Sequence, residues 1–494
     1  MRNILFRADG NNVIGLGHVM RSLALISMLR ENYSCHFAIQ DPAKILKEII
    51  IENCNNIIEL PKSNIPKAEE LIHHLDNIDI VVLDGYQFDD EYRIAIKNRG
   101  CKLVYIDDLH LSHISADVII NHAAGISAQQ YDTDPFTQLC LGTQFALLRR
   151  EFLVIAQQNR QIETIDTAFI CFGGVDKYNL TKKSLEAILL IDEIKRINIV
   201  VGSGYHYLDE LNHFVASNGS KVIELHFNVD AHEMINIMLD SQLAIIPASS
   251  ICLEVMSIGM GLLLGTYVEN QRLILEGCVK LNCCSSVGSF QELSNDSLTK
   301  QIDTYIKSEQ WKTHIANQKI NVTGNSSIKL NKVFNDLIVE SEISIRKANL
   351  DDILTYFYWA NDPDVRQNAI NTDPILLEHH KEWFIKNINR KSSFLYYFEN
   401  NHNPLGQVRF DLVNGDYLID YSIDKQFRKN GLGAVILRMA MKQLVSEHHA
   451  TIRITALVKD TNYSSLKTFE KLGFISIGST IMDESLYTQF LKVI

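Results

Sequence analysis

The first chemically suggestive residue is His18, which follows two glycines in RADGNNVIGLGHVMR, residues 7–21. Gly15 and Gly17 permit a tight strand-to-helix connection, and the amphipathic pattern that follows predicts a helix beginning near His18. The free N–H groups at a helix start favour anions and disfavour a protonated imidazole. A neutral His18 can accept a proton near pH 7, as a general base does. The alternative is that the glycines form only a turn and that His18 caps or packs.

A second group of residues could hold a nucleotide. FGGVD, residues 172–176, places a glycine pair directly after an apolar run, where bare backbone can approach a phosphate. PASSICLEVMSIG, residues 247–259, places small residues before a helix whose first turns carry a carboxylate able to accept ribose hydroxyls. A plain turn and a solvated helix face are the alternatives. The residues concerned are Gly173, Gly174, Ser249, Ser250 and Glu254.

A third group lies near the end of the chain. FRKNGLGAVIL, residues 427–437, sets the pattern R-x-x-G-x-G between an apolar strand and a helix, so its amides can bind a pyrophosphate at the helix start. The polar Asn462 follows the strand pattern TIRITALV and precedes another helix. The loop residues concerned are Arg428, Lys429, Asn430, Gly431 and Gly433.

The elements that must position these residues alternate between apolar strands and helical patterns. NILFRADG, DIVVLDGY and KLVYIDD represent the first set of strands, and TAFICFGGVD and LAIIPASS represent a second set. Such alternation predicts two α/β domains with parallel sheets, with functional groups at the carboxyl ends of the strands. A change of pattern near residue 340 predicts a third α/β domain. The expected domains are 1–150, 151–338 and 341–494.

Composition excludes several classes of protein. The chain has 494 residues, 46% of them hydrophobic, and its formal charge of −12 argues against a general binder of nucleic acid or anionic membranes. The 9 cysteines show no CxxC pair or zinc-ligand spacing, so we expect reduced thiols in the cytoplasm. The start MRNILF does not resemble a signal peptide, and no segment has the apolar length of a membrane span.

The first two groups of residues carry a resemblance to a known family. RADGxxxIGLGHVMR, the DGY at 84–86, ALLRREF at 146–152, FGGVD, the helix with Glu254 and ENQ at 269–271 resemble the UDP-2,4-diacetamido-2,4,6-trideoxy-β-L-altropyranose hydrolases of pseudaminic acid biosynthesis. The resemblance covers about residues 1–335. It implies two Rossmann-like domains similar to the GT-B glycosyltransferases, and release of UDP from a nucleotide sugar without a metal.

The resemblance also implies roles for individual residues. His18 would activate the water that attacks the anomeric carbon, and Gly173, Gly174, Ser249, Ser250 and Glu254 would face UDP. The chain departs from the family's glycine-rich second turn, because Ala248 and the two serines stand there. The residues expected to line the sugar pocket are Asp9, Tyr86, Asn270 and Gln271.

The third group resembles the GCN5-related N-acetyltransferases (GNAT) over about residues 341–494. The resemblance makes Arg428 to Gly433 the coenzyme A loop, with Asn462 and FEKLGF as the motif that follows. WANDPDVRQNAI and HHKEWF resemble the members that acetylate the 4-amino group of the same UDP-sugar. Many members carry a tyrosine that protonates the leaving thiolate where this chain has Phe469, so Tyr463, another group or water must serve.

Together the resemblances imply a bifunctional cytoplasmic enzyme that uses acetyl-CoA and no metal. It would acetylate a UDP-amino sugar and then hydrolyse the product to free sugar and UDP, two successive steps. Two alternatives stay open for the first half: a glycosyltransferase, which shares the architecture, and a non-catalytic nucleotide-sugar binding protein. For the third domain the alternatives are a protein-acetylating role and a degenerate module that is kept for packing.

Overall fold

The computed structural model describes residues 1–10, 16–63, 65–448 and 451–494. Gly15, with the rest of residues 11–15 of the first motif, therefore lies outside the described residues. The chain forms two compact units, Met1–Val333 and Phe334–Ile494. Each unit is described by itself below.

The first unit begins with a parallel sheet of order β3-β2-β1-β4-β5-β6-β7. Its strands are β1 (Arg2–Ala8), β2 (Tyr33–Gln40), β3 (Asn56–Leu60), β4 (Ile80–Asp84), β5 (Lys102–Ile106), β6 (Val118–Asn121) and β7 (Gln138–Leu141). The accompanying helices are α1 (Gly17–Leu29), α2 (Lys44–Asn53), α3 (Glu69–Ile72), α4 (Asp90–Lys97) and α5 (Arg150–Ala156).

A second parallel sheet, of order β10-β9-β8-β11-β12-β13, completes the first unit. Its strands are β8 (Thr167–Ile170), β9 (Arg196–Val201), β10 (Val222–Phe227), β11 (Leu243–Pro247), β12 (Gly261–Thr266) and β13 (Ser285–Ser289). The helices are α6 (Leu180–Leu189), α7 (Leu208–Ser217), α8 (Ala231–Asp240), α9 (Ile251–Ile258), α10 (Arg272–Lys280), α11 (Asn295–Ser308), α12 (Gln310–Asn321) and α13 (Ser326–Glu342), which contains the division between the units.

The central strands of both sheets are apolar runs because each is covered on both faces. β4 and β11 are buried along their whole length. In the first sheet β1 pairs with β4, and in the second β8 pairs with β11, although two other strands lie between the members of each pair in sequence. The strand order reverses at these two places. Crevices for ligands open at such reversals, at the carboxyl ends of the strands. The predicted site residues of the first unit follow β1, β4, β8, β11 and β12.

Close backbone contact joins the two halves of the first unit. A Cβ atom built on Gly277, in α10, would lie 1.7 Å from the Ala124 carbonyl oxygen, and one on Gly125 would lie 2.8 Å from the Gly277 Cα. Ala124 and Gly125 belong to the turn that follows β6, and Gly125 has a φ of +76°. Glycine at both positions therefore lets α10 pack directly on this turn.

The second unit contains a mostly antiparallel sheet of order β14-β15-β16-β17-β18-β20-β19. Its strands are β14 (Ser344–Lys347), β15 (Ser393–Asn400), β16 (Asn403–Val413), β17 (Asp416–Ile423), β18 (Arg453–Lys459), β19 (Ile475–Met482) and β20 (Ser485–Val493). The helices are α14 (Ile353–Ala360), α15 (Pro363–Asn368), α16 (Leu377–Ile388), α17 (Leu432–Glu447) and α18 (Tyr463–Lys471).

β17 and β18 are parallel neighbours that separate before they end. They pair from Tyr417 with Ile454 to Ile419 with Ala456, and their later residues line a cavity of about 1060 Å³. The opening between the two strands gives an extended ligand access to backbone groups on both sides. The α/β architecture expected from the sequence is confirmed in both units.

We expect Gly277→Ala to destabilise the first unit, because the added methyl group meets backbone and not a side chain that could rotate away. Overpacking of this kind costs about 1–3 kcal/mol. Thermal unfolding followed by calorimetry should show a Tm lowered by several degrees. Gly219→Ala is the matched control, since its new methyl group meets no atom within 4 Å. Equal melting temperatures for the two variants would contradict the proposed contact.

Candidate active sites

His18 lies in the first turn of α1, beside the end of β4. Its Nδ1 is 2.7 Å from Oδ1 of Asp84, which is fully buried as the last residue of that strand. An Arg21 nitrogen lies 3.1 Å from the same Nδ1, but the shorter contact to the carboxylate assigns the proton to Nδ1. Nε2 is then left as an acceptor. A carboxylate that fixes an imidazole in this tautomer prepares it to act as a general base.

Arg21 fixes this carboxylate in turn. It donates to both oxygens of Asp84, at 2.7 and 2.6 Å, and to Oδ2 of Asp108 at 2.8 Å. Burial by itself raises the pKa of Asp84, but the charge and hydrogen bonds of Arg21 and His18 outweigh it and hold that pKa below its usual value. Asp84 therefore stays ionised near neutral pH and keeps His18 oriented.

Tyr86 and Asn270 complete the group around His18. The Tyr86 ring meets the His18 imidazole edge-on, with ring centres 4.8 Å apart, and its hydroxyl donates to Asp108 at 3.1 Å. The Asn270 side chain, from the second half of the unit, lies close enough to the same hydroxyl to affect its pKa. Burial, with the nearby Asp108 charge, raises the pKa of Tyr86 to about 12. These predicted sugar-pocket residues therefore lie together with His18.

Asp9 and Gln271 have mainly internal partners. Asp9 accepts hydrogen bonds from Arg7 at 2.6 Å, from the Gln40 amide at 2.9 Å and from Gln87 at 3.1 Å. Gln271 is 5% exposed and accepts from the Tyr267 amide at 2.9 Å. Both side chains thus hold the strand ends and loops in shape around the crevice.

The glycine pair after β8 has an open face and a packed face. Cβ atoms built on Gly173 and Gly174 would meet nothing within 4 Å, and Gly173 has a φ of +80°. On the other side, a Cβ on Gly202 would lie 2.7 Å from the Gly174 Cα, and one on Gly204 would lie 3.0 Å from the Gly174 oxygen. The backbone of this turn is therefore accessible to a ligand because two further glycines give it room.

The two serines before α9 differ in whether their polar groups already have hydrogen-bond partners. The Ser249 amide donates to the Pro247 carbonyl at 2.8 Å, so it is already engaged. Ser250 precedes the first residue of α9, and its side chain makes no capping hydrogen bond there. Ser250 is thus the better placed of the two to meet a phosphate.

Glu254 is not on a solvated helix face. It lies in the first turn of α9, and its Oε1 accepts from Nε and Nη2 of Arg149, at 3.0 and 2.9 Å. Burial raises the pKa of Glu254, and Arg149 acts in the opposite direction. Oε2 makes no hydrogen bond to any described residue. One carboxylate oxygen is therefore held and the other can accept hydroxyl groups.

In the second unit, the glycine loop borders the 1060 Å³ cavity through Arg428, Lys429, Gly431 and Gly433. Lys429 and Gly431 have φ angles of +67° and +76°, so the loop turns sharply into α17. The Arg428 guanidinium is anchored by Asp362 at 2.7 Å, Asp364 at 2.8 Å and the Ile423 carbonyl at 3.0 Å. The charge of Arg428 therefore helps to hold the loop in this conformation through contacts within the protein.

The two asparagines of the predicted coenzyme A site lie in different places. Asn462 borders the large cavity and accepts from the Ser465 amide at 3.2 Å, which caps α18. Asn430 lines a separate cavity of about 580 Å³ with Leu432 and Phe427. Its side chain is thus apart from the other loop residues.

The tyrosine ring that contacts Phe469 comes from Tyr421 on β17. Phe469 is 2% exposed, and the Tyr421 ring meets it edge-on with centres 6.0 Å apart. The Tyr421 hydroxyl is 3.0 Å from the Ser465 hydroxyl, and burial raises the pKa of Tyr421. Tyr463 is 71% exposed and does not line the cavity. Beside Phe469, the phenol that borders the cavity is therefore that of Tyr421 on β17 and not that of Tyr463 on α18.

Comparison with known proteins identifies the type of domain in the second unit. A model of the acetyltransferase (GNAT) domain family matches residues 342–475. These residues form a GNAT acetyltransferase domain. Its glycine loop and the separated strands β17 and β18 lie within the matched range.

Two relatives extend over other parts of the chain. An uncharacterized protein of Methanocaldococcus jannaschii is 26% identical over 489 residues, which are 94% of this chain and 95% of that protein. A UDP-2,4-diacetamido-2,4,6-trideoxy-β-L-altropyranose hydrolase of Campylobacter jejuni is 28% identical over 273 residues, which are 54% of this chain and 93% of the relative. Part of the chain is thus homologous to a nucleotide-sugar hydrolase.

Among solved structures, MurG of Acinetobacter baumannii has a similar fold. It matches with a TM-score of 0.51 and 12% sequence identity, covering 68% of this chain and 99% of its own. The paired parallel sheets of the first unit therefore resemble the GT-B arrangement of Rossmann-like domains. Within the described residues, no three His, Cys, Asp or Glu side chains are grouped to hold a metal ion, and no helix is long and apolar enough to cross a membrane.

The sequence left several site residues unidentified. Arg21 and Asp108 orient His18, and Arg149 orients Glu254, although its ALLRREF segment was part of the resemblance. Tyr421 supplies the hydroxyl beside Phe469. Asp108 could have been predicted from its position at the carboxyl end of a strand. Which carboxylate an arginine contacts cannot be predicted without the folded structure.

We expect Asp84→Asn to lower the Tm at neutral pH, because it leaves the buried Arg21 with one carboxylate partner, at a cost of up to about 3 kcal/mol. The pKa of Asp84 is lowered in the folded state, so its stabilisation is present above the unfolded value of about 3.9 and is lost as pH falls through the folded pKa. The Tm difference between wild type and variant should therefore shrink below about pH 4. Calorimetry from pH 7 to pH 3, with the exposed Asp192→Asn as control, measures this difference. A constant difference over the whole range would contradict the assignment.

Proposed function

We propose that this chain is a bifunctional enzyme of pseudaminic acid biosynthesis. It acetylates the 4-amino group of a UDP-amino sugar and hydrolyses the UDP-2,4-diacetamido-2,4,6-trideoxy-altropyranose that results. The observation that supports it most is the His18–Asp84 pair beside Tyr86 and Asn270, in a chain of which 54% matches a UDP-sugar hydrolase. The acetyltransferase domain in the same chain supports the second activity.

In the hydrolysis, Nε2 of His18 takes a proton from a water that attacks the anomeric carbon. The new C–O bond forms as the bond to the diphosphate breaks, so UDP leaves and the configuration inverts. Asp84 stabilises the imidazolium that forms, because its carboxylate accepts a hydrogen bond from Nδ1–H at 2.7 Å. Tyr86 and Asn270 bind the sugar, with Asp9 and Gln271 supporting the pocket.

The second half of that unit holds the UDP moiety. Gly173 and Gly174 offer accessible backbone, and Ser250 begins the helix whose N–H groups favour a diphosphate. The free Oε2 of Glu254 accepts the ribose hydroxyls while Arg149 holds Oε1. Helix dipoles and backbone amides then stabilise the leaving diphosphate, so the proposal needs no metal.

Acetyl-CoA is the proposed second substrate, and it supplies an activated acetyl group when bound. The sharp loop at Lys429 and Gly431 fits a pyrophosphate, and the opening between β17 and β18 fits an extended pantetheine chain. The amine nitrogen attacks the thioester carbonyl, the C–N bond forms and the C–S bond breaks. Tyr421 then donates its proton to the thiolate, in place of the tyrosine that Phe469 replaces. The proton that the nitrogen loses as it becomes an amide returns through water to the Tyr421 phenolate.

A single chain with both activities keeps the acetylated intermediate at high local concentration near the second site. The proposed domains are residues 1–150 and 151–338 for the hydrolase and 341–494 for the acetyltransferase. The cytoplasm is the proposed location, in keeping with the cysteines, which show no zinc-ligand spacing or CxxC pair.

The deciding experiment is a mass-spectrometric time course with UDP-4-amino-4,6-dideoxy-N-acetyl-altrosamine, with and without acetyl-CoA. The proposal expects UDP and a free diacetamido sugar only when acetyl-CoA is present. An acetylated product that retains UDP would instead favour a glycosyltransferase or a nucleotide-sugar binding protein. Unchanged sugar with acetylated proteins would favour a protein acetyltransferase.

The two activities should separate by mutation. We expect His18→Ala to abolish UDP release and leave acetyl transfer intact, because it removes the base from one unit only. Gly431→Glu should do the opposite, since it adds bulk and charge to a loop position with a φ of +76°. On each purified variant, acetyl transfer is measured with the UDP-amino sugar and UDP release with the already acetylated UDP-sugar, with melting temperatures as the folding control. Loss of both activities in one folded variant would contradict this division.

We expect Tyr421→Phe to lower the kcat of acetyl transfer about 100-fold or more, because general acid catalysis contributes factors of this size. The KM for acetyl-CoA should change less than threefold. Release of the CoA thiol, followed with a thiol reagent, measures both constants. Phe469→Tyr in the Tyr421→Phe background should restore part of the rate by returning a hydroxyl from α18. Tyr463→Phe is the matched control, and an equal loss there would refute the role of Tyr421.

A further inference from the structure

His122 is a histidine of the first unit to which the proposed mechanism gives no role. It follows β6 directly, while Asp84 and Asp108 stand at the ends of the neighbouring strands β4 and β5. The charges of Arg21, Asp108 and Asp84 all act on its imidazole. His122 therefore lies at the same edge of the sheet as the group around His18.

The fold assigns the proton of this imidazole. The Leu147 amide donates to Nδ1 of His122 at 3.0 Å, so Nδ1 is an acceptor and the neutral ring carries its proton on Nε2. Burial lowers the pKa of His122 to about 4, and the positive charge of Arg21 acts in the same direction. The ring is thus neutral at physiological pH, with a single N–H donor at Nε2.

That donor is available to a ligand. Nε2 makes no hydrogen bond to any described residue, and it is not among their buried unpaired atoms. The His122 side chain is partly buried, so its Nε2 atom is exposed to solvent. The turn after His122, Ala123–Gly125, packs on α10, which starts two residues after Asn270. His122 therefore stands at a strand end whose following turn contacts the second half of the unit, close in sequence to the segment that carries Asn270.

We propose that the Nε2–H group of His122 donates a hydrogen bond to an oxygen of the sugar in the bound nucleotide sugar. The inference rests on the proposed hydrolase function and adds a residue that determines how the sugar is held. A neutral donor suits an uncharged acceptor, such as a hydroxyl or an acetamido carbonyl, whereas helix N-termini and cations suit a diphosphate. The hydrogen bond orients the anomeric carbon toward the water that His18 activates.

Two variants separate this role from a structural one. His122→Asn keeps an oxygen near the position of Nδ1, able to accept from Leu147, and removes the distal donor. His122→Gln brings an amide N–H near the position of Nε2 and gives up the close acceptor. We expect His122→Asn to lower kcat/KM for UDP release about 30-fold or more, and His122→Gln to retain at least a third of it. His213→Asn, an exposed histidine of α7, is the control.

The affinity for UDP alone, measured by calorimetry on the full chain, identifies the acceptor. The inference expects an unchanged Kd for UDP in His122→Asn, because the donor contacts the sugar. A Kd weakened as much as kcat/KM would place the acceptor on the diphosphate and overturn the sugar assignment. A lowered Tm with the larger rate loss in His122→Gln would mean that the Leu147 contact matters and the donor does not.

The same measurements distinguish failure of the inference from failure of the proposed function. If the wild type releases UDP from the acetylated sugar and both His122 variants match it, the inference is wrong and the hydrolase assignment stands. If the wild type binds UDP but releases none from this sugar, both are wrong. Wild-type activity with loss only in His122→Asn is the expected result.

Discussion

The buried contact between Arg21 and Asp84 is the interaction on which the first unit's site depends. A carboxylate at the end of a central strand would be protonated by burial if no cation faced it. Arg21 supplies that cation from the same helix that carries His18, one turn later. Because His18 and Arg21 share α1, the position of this helix against β4 sets the tautomer of His18 and the ionisation of Asp84 together.

Both units use glycine where backbone must come close to backbone. In the first, Gly202 and Gly204 leave room for the Gly174 turn. In the second, Gly431 lets the loop enter α17 with a left-handed residue. These positions differ in purpose, since the first set supports the turn from behind while the last forms the turn itself.

Much of the fold could be predicted from the sequence, because the central strands of both parallel sheets are unbroken apolar runs. The edge strands β3 and β13 could not, since they are short, partly exposed and less apolar. The glycine loops and the His18 helix were visible as local patterns. Partner choice was not: that Arg149 holds Glu254, or that Asn430 turns away from the other loop residues, depends on contacts between segments distant in sequence. Tyr421 was missed for the same reason, because its relation to Phe469 exists only across β17 and α18.

The contact of Gly277 with the turn after β6 also bears on how the active site can change. Two backbone segments touch there without a side chain between them. Side-chain substitutions therefore cannot change the distance between the two halves at that point in small steps. Variation in substrate size must then come from the side chains along the crevice. Engineering for a larger or smaller sugar should accordingly begin with residues such as Tyr86 and leave the glycine contact untouched.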